Sequence, residues 1–151
     1  IKVKTANQML IQTNKYNKQI DIAIFCAAVA DFKIKKISTK KIKKNELTTL
    51  KLIKNTDILK KISTQKKNRP KYIVGFSAET DNKILAKRKL NEKKCDMIIF
   101  NKISTKNKVF GLDENKISII TKNKIKDYPK FSKSKCANLI INSIYDEIEI
   151  K

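Results

Sequence analysis

The stretch IDIAIFCAAVADFKIKKISTKKIKK, residues 20–44, carries the strongest structural signal in the sequence. Its first half is an apolar run of β-branched and small residues, which predicts a buried strand over residues 20–30 of the kind found in parallel sheets. The run ends at a single acid, Asp31, and residues 32–46 are mostly polar and basic and lack periodicity, which predicts a flexible segment. Because open α/β sheets bind ligands at the carboxyl ends of their strands, this order predicts a site for a polyanion and its metal ion.

The rest of the chain alternates predicted strands and helices. Two further apolar runs, over residues 72–78 and 95–101, predict buried strands that join the first one in a parallel sheet. Helical periodicity and capping residues predict helices over 6–17, from 55 or 56 to about 62, from 80 or 81 to about 94, and from 132 or 134 to about 149. Alternating patterns predict strands over 1–5, 48–54, 116–121 and 124–128, the last of them ended by Pro129. The expected fold class is α/β, a Rossmann-like three-layer sandwich with a mostly parallel sheet and a small antiparallel extension between residues 109 and 128.

The composition is strongly basic, with 36 Lys and Arg residues against 14 Asp and Glu residues and a net charge of +22. One explanation is a nucleic-acid-binding domain. However, the only arginines are Arg69 and Arg88, and arginine is the residue that reads bases and phosphates bidentately. The lysines are spread over all predicted elements alike, as coding bias in an AT-rich genome would produce. We therefore expect weak, salt-sensitive binding to polyanions and no specific nucleic-acid recognition.

The sequence contains no histidine, which excludes Ser-His-Asp and Cys-His catalysis and the common zinc sites. Cys26, Cys95 and Cys136 are far apart and odd in number, which argues against a disulfide framework and favours a reducing cytoplasm. Cys26 lies inside the apolar run and is expected to be a small core residue. No apolar run approaches the roughly 20 residues of a membrane-spanning helix, so we expect no membrane partner.

The residues of the opening stretch that carry charge have a functional and a structural interpretation. Asp31 would bind ribose hydroxyls or a divalent cation, or would solvate the end of a strand. The lysines of the basic segment would close over a phosphate, or would form a solvated loop. These lysines are Lys40, Lys41, Lys43 and Lys44.

Candidate site residues further along the chain also have both a functional and a structural interpretation. Residues 56–59 begin a helix whose amide groups would hold a base or a phosphate, or are simply capped. Phe76 would stack on a base or pack in the core. Lys89 and Lys93, four residues apart, would point into one phosphate pocket or lie at the surface. Asn101, at the end of a predicted strand, would belong to a site or to a turn.

Taken together, seven motifs resemble one enzyme family. They are AAVADF at 27–32, KIKK at 41–44, LIKNTDIL at 52–59, VGFSAET at 74–80, KLNEK at 89–93, DMIIFN at 96–101 and FGLDEN at 110–115. In this order and spacing they cover almost the whole chain and resemble phosphopantothenate–cysteine ligase. In bacteria this enzyme is usually the C-terminal half of a bifunctional coenzyme A biosynthesis flavoprotein.

The resemblance implies a Mg²⁺-assisted, CTP-dependent ligation of 4′-phosphopantothenate and cysteine through an acyl-cytidylate, giving phosphopantothenoylcysteine. It implies that Lys41 is catalytic, on a flap that closes over the site, and that Asp31 is the nucleotide-binding Asp of AAVAD and a candidate metal ligand. Asn101 is a candidate substrate-binding or structural residue. The residues matched to CTP contacts are Phe25, Cys26, Ala27, Asp31, Lys41, Thr56, Asp57, Ile58, Leu59, Phe76, Lys89 and Lys93. The family further implies a homodimer, with FMN confined to a decarboxylase half that this sequence does not contain.

The sequence departs from the family's pattern at three points. Thr56 replaces the usual Pro of NPDIL and Ser77 replaces a common Ala of GFAAET, and both are mild changes. The only glycines are Gly75 and Gly111, so we expect the family's glycine-rich start and its SNxSSGKMG-like segment to lie upstream of this sequence. The expected organisation is one ligase domain over residues 1–151 that lacks this segment. The alternative is an inactive nucleotide-binding or dimerisation remnant of the enzyme.

Overall fold

A computed structural model describes residues 1–36, 38–43, 49–80, 83–103 and 113–149. Within these residues the chain forms four α-helices and seven β-strands. The helices are α1 (Ala6–Tyr16), α2 (Ile58–Ser63), α3 (Lys83–Glu92) and α4 (Lys133–Glu149). The strands are β1 (Ile22–Phe25), β2 (Phe32–Ile34), β3 (Leu52–Lys54), β4 (Tyr72–Glu79), β5 (Met97–Lys102), β6 (Glu114–Thr121) and β7 (Ile125–Ser132). Each helix corresponds to one that the sequence predicts.

Five strands form one sheet in the order β1-β4-β5-β6-β7. Strands β1, β4 and β5 are parallel neighbours, whereas β6 and β7 run antiparallel to their neighbours. The parallel part confirms the predicted Rossmann-like sheet, and the β6–β7 hairpin confirms the predicted antiparallel extension. Among the described residues, β2 and β3 pair only with each other, as a separate antiparallel ribbon.

Helices cover both faces of the five-stranded sheet. On one face, residues of α1, α2 and α3 pack against the sheet in a core that includes Ile62, Ile73 and Leu90. On the other face, α4 contributes Ile140 and Ile144 to a second core. The fold is therefore a three-layer sandwich. Helix α3 forms the crossover between β4 and β5, as a parallel strand pair requires.

Side-chain caps set the starts of the first and last helices. Thr5 Oγ1 accepts a hydrogen bond from Gln8 N at 3.2 Å, and Gln8 Oε1 accepts one from Thr5 N at 3.2 Å, forming a capping box. Ser132 Oγ accepts a hydrogen bond from Lys135 N at 3.2 Å, as expected for a cap of α4. In the part of the chain that the structure describes, no helix is both long and apolar enough to cross a bilayer.

The predicted strand over residues 1–5 is wrong. These residues pair with no strand in the described structure, and a strand requires a hydrogen-bonding neighbour. Their last amide groups serve the helix instead, because Lys4 N and Thr5 N both donate to Gln8 Oε1.

The predicted buried strand over residues 20–30 is shorter and more exposed than expected. Only Ile22–Phe25 is strand, and the side chains of Ile22 and Ile24 are 36% and 40% exposed. The physical reason is position, since β1 is the edge of the sheet and pairs only with β4 among the described strands. The remaining apolar residues of the run leave the sheet as a loop.

The predicted flexible segment over residues 32–46 is partly wrong, because it begins with strand β2. Phe32, Lys33 and Ile34 pair with Lys54, Ile53 and Leu52. The predicted strand over 48–54 is confirmed for its last three residues, and residues 44–48 lie outside the described structure. The basic segment is therefore joined to the fold through an ordered ribbon.

The predicted chain break at Pro129 is also wrong, because β7 continues through this residue. Strand β7 is the outer edge of the sheet, where a residue without an N–H group is tolerated. The register shifts between Lys116 and Ser118, opposite the proline, which accommodates it.

Candidate functional site

A cavity of about 340 Å³ lies at the carboxyl ends of β1 and β4, the position that the opening stretch predicts. Its volume is at the lower end of the range for small-molecule sites. The described lining comes from α1, the loop after β1, the start of α2, the end of β4 and α3. The lining residues are Met9, Phe25, Ala27, Ala28, Val29, Ala30, Asp31, Asn55, Thr56, Asp57, Ile58, Leu59, Phe76, Ser77, Ala78, Lys89 and Lys93.

The loop after β1 is held in place by Asn55. Asn55 Nδ2 donates to Ala30 O at 2.8 Å, and Asn55 N donates to Asp31 O at 2.7 Å. The loop itself tightens through a hydrogen bond from Val29 N to Ala27 O at 3.1 Å. These bonds fix the backbone that carries Asp31 to the cavity. The sequence predicted Asn55 as a possible helix cap and not as a site residue. The one sequence feature that could have pointed to this role is a side-chain amide next to a predicted helix start.

The N-cap of helix α2 is Asp57 and not Asn55 or Thr56, so the predicted cap is wrong by one or two residues. Asp57 Oδ1 accepts a hydrogen bond from Lys60 N at 3.0 Å and satisfies an amide of the first turn. Its second oxygen, Oδ2, lies 3.2 Å from Lys93 Nζ. Asp57 therefore joins the start of α2 to α3 along the cavity wall.

Lys89 and Lys93 both line the cavity, as the interpretation of a shared pocket requires. Each is also paired with a carboxylate. Lys89 Nζ forms an ion pair with Glu79 Oε1 at the end of β4, and Lys93 Nζ pairs with Asp57. The two lysines thus face the cavity without being free cations.

The end of β4 forms another part of the wall. Phe76 lines the cavity and also packs against the core under α4, so the packing interpretation is confirmed and stacking on a base stays a prediction. Ser77 is 4% exposed, and its hydroxyl has no hydrogen-bond partner among the described residues. Gly75 lies behind Leu59, and a Cβ at Gly75 would come within 2.5 Å of Leu59 Cδ2, so little room is left for a side chain there.

Three predicted site residues lie outside the cavity lining. Lys41 is exposed on the segment that follows the β2 strand, and Lys44 is outside the described residues. Cys26 is exposed, so its interpretation as a core residue is wrong, because the chain leaves the sheet at that point. Asn101 lies buried within β5 and accepts a hydrogen bond from Asn115 Nδ2 at 3.0 Å, so it is not a turn residue.

Neither buried thiol is available as a nucleophile. Burial raises the pKa of the Cys95 thiol to about 11, and burial also raises the pKa of the Cys136 thiol. Neither residue lines the cavity. Because the thiolate is the reactive form, burial disfavours nucleophilic chemistry by these two cysteines at neutral pH.

A model of the family "DNA/pantothenate metabolism flavoprotein C-terminal domain" matches residues 1–148. The chain belongs to this family. It is 41% identical over 150 residues to "Coenzyme A biosynthesis bifunctional protein CoaBC" of Borreliella burgdorferi, covering 96% of this chain and 37% of that protein. It is similar to the protein of the same description from Haemophilus influenzae, at 37% identity over 151 residues, 99% of this chain and 37% of that one. The protein of the same description from Escherichia coli K12 is 34% identical over 155 residues, and the match covers 97% of this chain and 38% of that protein.

The chain therefore spans less than two fifths of the length of these relatives. Among solved structures, it resembles the crystal structure of the C-terminal domain of coenzyme A biosynthesis bifunctional protein CoaBC. The TM-score is 0.79 at 26% sequence identity, and the match covers 100% of this chain and 66% of that one. Family membership and the α/β fold thus agree with the resemblance drawn from the seven motifs.

Proposed function

We propose that this chain acts in coenzyme A biosynthesis as a CTP-dependent ligase of 4′-phosphopantothenate and cysteine. The observation that carries the proposal is the convergence of four motifs on one cavity. The AAVAD loop, the NTDIL segment, the end of GFSA and the KLNEK helix are distant in sequence, and all four line it. The bifunctional coenzyme A biosynthesis proteins that the chain resembles support the coarser part of the proposal, a role in coenzyme A biosynthesis.

The proposed reaction has two steps. A carboxylate oxygen of 4′-phosphopantothenate attacks the α-phosphorus of CTP, forming the acyl-cytidylate and breaking the bond to pyrophosphate. The amine of cysteine then attacks the acyl carbon, its proton is lost, and CMP leaves with the electrons of the acyl–oxygen bond. Both steps move negative charge onto phosphate oxygens, so cationic groups near the cavity would accelerate them.

Each lining residue has a role in this proposal. Asp31 binds ribose hydroxyls of the nucleotide, Phe76 contacts its base or ribose, and Lys89 and Lys93 contact phosphate oxygens. Lys41 reaches the reacting phosphate when the segment carried by the β2–β3 ribbon closes over the cavity. The ribbon supports this role because it attaches beside Asp31, through the bond from Asn55 N to Asp31 O.

The described residues fit a magnesium ion that arrives with the nucleotide. Mg²⁺ is usually held by one or two carboxylates together with substrate phosphates and water. Asp31 is the lining carboxylate that has no ion-pair partner among the described residues, and these residues contain no cluster of three metal-ligating side chains. Asp31 would hold the ion, which would neutralise phosphate charge.

We also propose a homodimer. The edge strand β1 and the ribbon expose large apolar side chains, and contiguous exposed apolar surface marks interfaces. The exposed residues include Ile22, Ile24, Phe32, Ile34 and Leu52. Light scattering on the purified chain measures the mass, and a monomer at micromolar concentration would contradict this part of the proposal.

The activity is tested by CMP release from CTP with Mg²⁺, 4′-phosphopantothenate and cysteine. We expect Lys41→Ala to abolish CMP release while the thermal unfolding midpoint stays unchanged, because Lys41 is exposed and outside the cavity lining. The matched control is Lys40→Ala, which removes the same charge one residue earlier. Full activity in Lys41→Ala would contradict the flap assignment. CTP binding without any CMP release would favour the alternative, a nucleotide-binding module without activity.

A further inference from the structure

Both lysines of the cavity are restrained by carboxylates from other elements. Lys89 is paired with Glu79 of β4, and Lys93 is paired with Asp57 at the start of α2. The four side chains are 26% to 42% exposed, so each is shielded from solvent over only part of its surface. Partial burial makes these pairs stronger than fully exposed ones, although solvent still screens them.

The two carboxylates differ in their other contacts. Asp57 also caps α2 through Lys60 N, so it has a structural task that is independent of Lys93. The carboxylate of Glu79 has Lys89 as its only hydrogen-bond partner among the described residues. Glu79 lies outside the cavity lining, behind Lys89. Its side chain therefore contacts the site through one group, the Lys89 ammonium.

The charge of the cavity contrasts with that of the whole chain. The chain carries +22, but the charged lining residues are two lysines and two aspartates, Lys89, Lys93, Asp31 and Asp57. With Glu79 behind them, the described groups around the cavity carry one more negative than positive charge. A phosphate ligand would therefore meet a cavity whose cations are already compensated.

We propose that Glu79 is a positioning residue that holds the Lys89 ammonium and offsets its charge, so that an entering phosphate anion must take Lys89 from Glu79. This inference rests on the proposed function in one respect, that the cavity takes a phosphate anion. In this role Glu79 sets the affinity of the cavity for anions. It keeps pyrophosphate, the product of the first proposed step, from binding tightly.

The test uses inorganic pyrophosphate as the probe and calorimetry as the measurement. Glu79→Gln keeps the shape and an acceptor oxygen but removes the negative charge. We expect its dissociation constant for pyrophosphate to fall about tenfold at low salt, equivalent to about 1.4 kcal/mol. The gain should shrink as salt is raised, because it is electrostatic. The matched control is Glu92→Gln, which removes a charge from the exposed Arg88–Glu92 pair on α3.

An unchanged or weaker affinity in Glu79→Gln would overturn the inference, as would an equal gain in Glu92→Gln. Absence of pyrophosphate binding to both the unsubstituted chain and Glu79→Gln would overturn it too. If Glu79→Gln does not fold, Lys89→Met supplies the second test. We expect Lys89→Met to weaken the affinity for pyrophosphate about tenfold. An unchanged affinity would contradict the inference. If pyrophosphate binding behaves as described but no CMP is released from CTP, the proposed function fails and this inference stands.

Discussion

The methyl group introduced by Gly75→Ala tests how tightly β4 supports the cavity wall. A Cβ at this position would lie 2.5 Å from Leu59 Cδ2 and 3.0 Å from Ile98 Cδ1. Overpacking of this kind costs about 1–3 kcal/mol, and the lower chain entropy of alanine returns about 0.4–1 kcal/mol. The difference is a net loss of about 0–2.6 kcal/mol in the free energy of unfolding, and we expect the middle of that range, about 1–2 kcal/mol. For a domain of this size that lowers the thermal midpoint by about 2–8 °C.

Thermal unfolding followed by circular dichroism measures this loss, and Leu59→Val identifies its cause. Valine lacks the Cδ atoms that the new methyl group would strike. In the Leu59→Val background, we expect the cost of Gly75→Ala to fall by more than half, a coupling that contacting residues commonly show. Equal costs of Gly75→Ala in both backgrounds would refute the clash with Leu59. A raised midpoint in the single variant would refute the tight packing itself.

Three further predictions concern stability, thiol reactivity and charge. Arg69→Met should destabilise the fold by about 2–3 kcal/mol in urea unfolding, because Arg69 donates to four backbone carbonyls and to Asp96, whereas Arg88→Met should stay within about 0.5 kcal/mol. In the native protein, one thiol per chain should react rapidly with a disulfide reagent, and Cys26→Ser should remove that reaction, because Cys26 is exposed and Cys95 is buried with a raised pKa. Binding to duplex DNA should show no sequence preference and disappear at physiological salt, and persistence there would favour a nucleic-acid-binding role.

The central strands were predictable because their sequence pattern depends little on their partners. Strands β4 and β5 are enclosed by neighbours on both sides, so their apolar runs correspond directly to burial on both faces. The same pattern gave a wrong prediction for β1. Its apolar run predicted a fully buried strand, but β1 lies at the edge of the sheet. Strand order is a tertiary property, and nothing local in the run distinguishes an edge strand from a central one.

The site was predictable at the level of motifs and not at the level of contacts. Asp31, Lys89 and Lys93 could be selected because strand ends and helix faces bring such side chains together. The pairing of Lys89 with Glu79 depends on how α3 packs on β4, which local sequence does not specify. The link from Asn55 to the loop before it likewise depends on the β2–β3 register.

Binding of a cytidine nucleotide in the cavity is measured by the amide chemical shifts of the chain titrated with CTP and Mg²⁺. We expect the largest shifts to cluster in residues 25–31, 55–59 and 76–78, around the cavity. We expect small shifts in β7 and α4, which do not line the cavity. Shifts spread over the exposed lysines of β7, or none at all with saturating CTP, would contradict it.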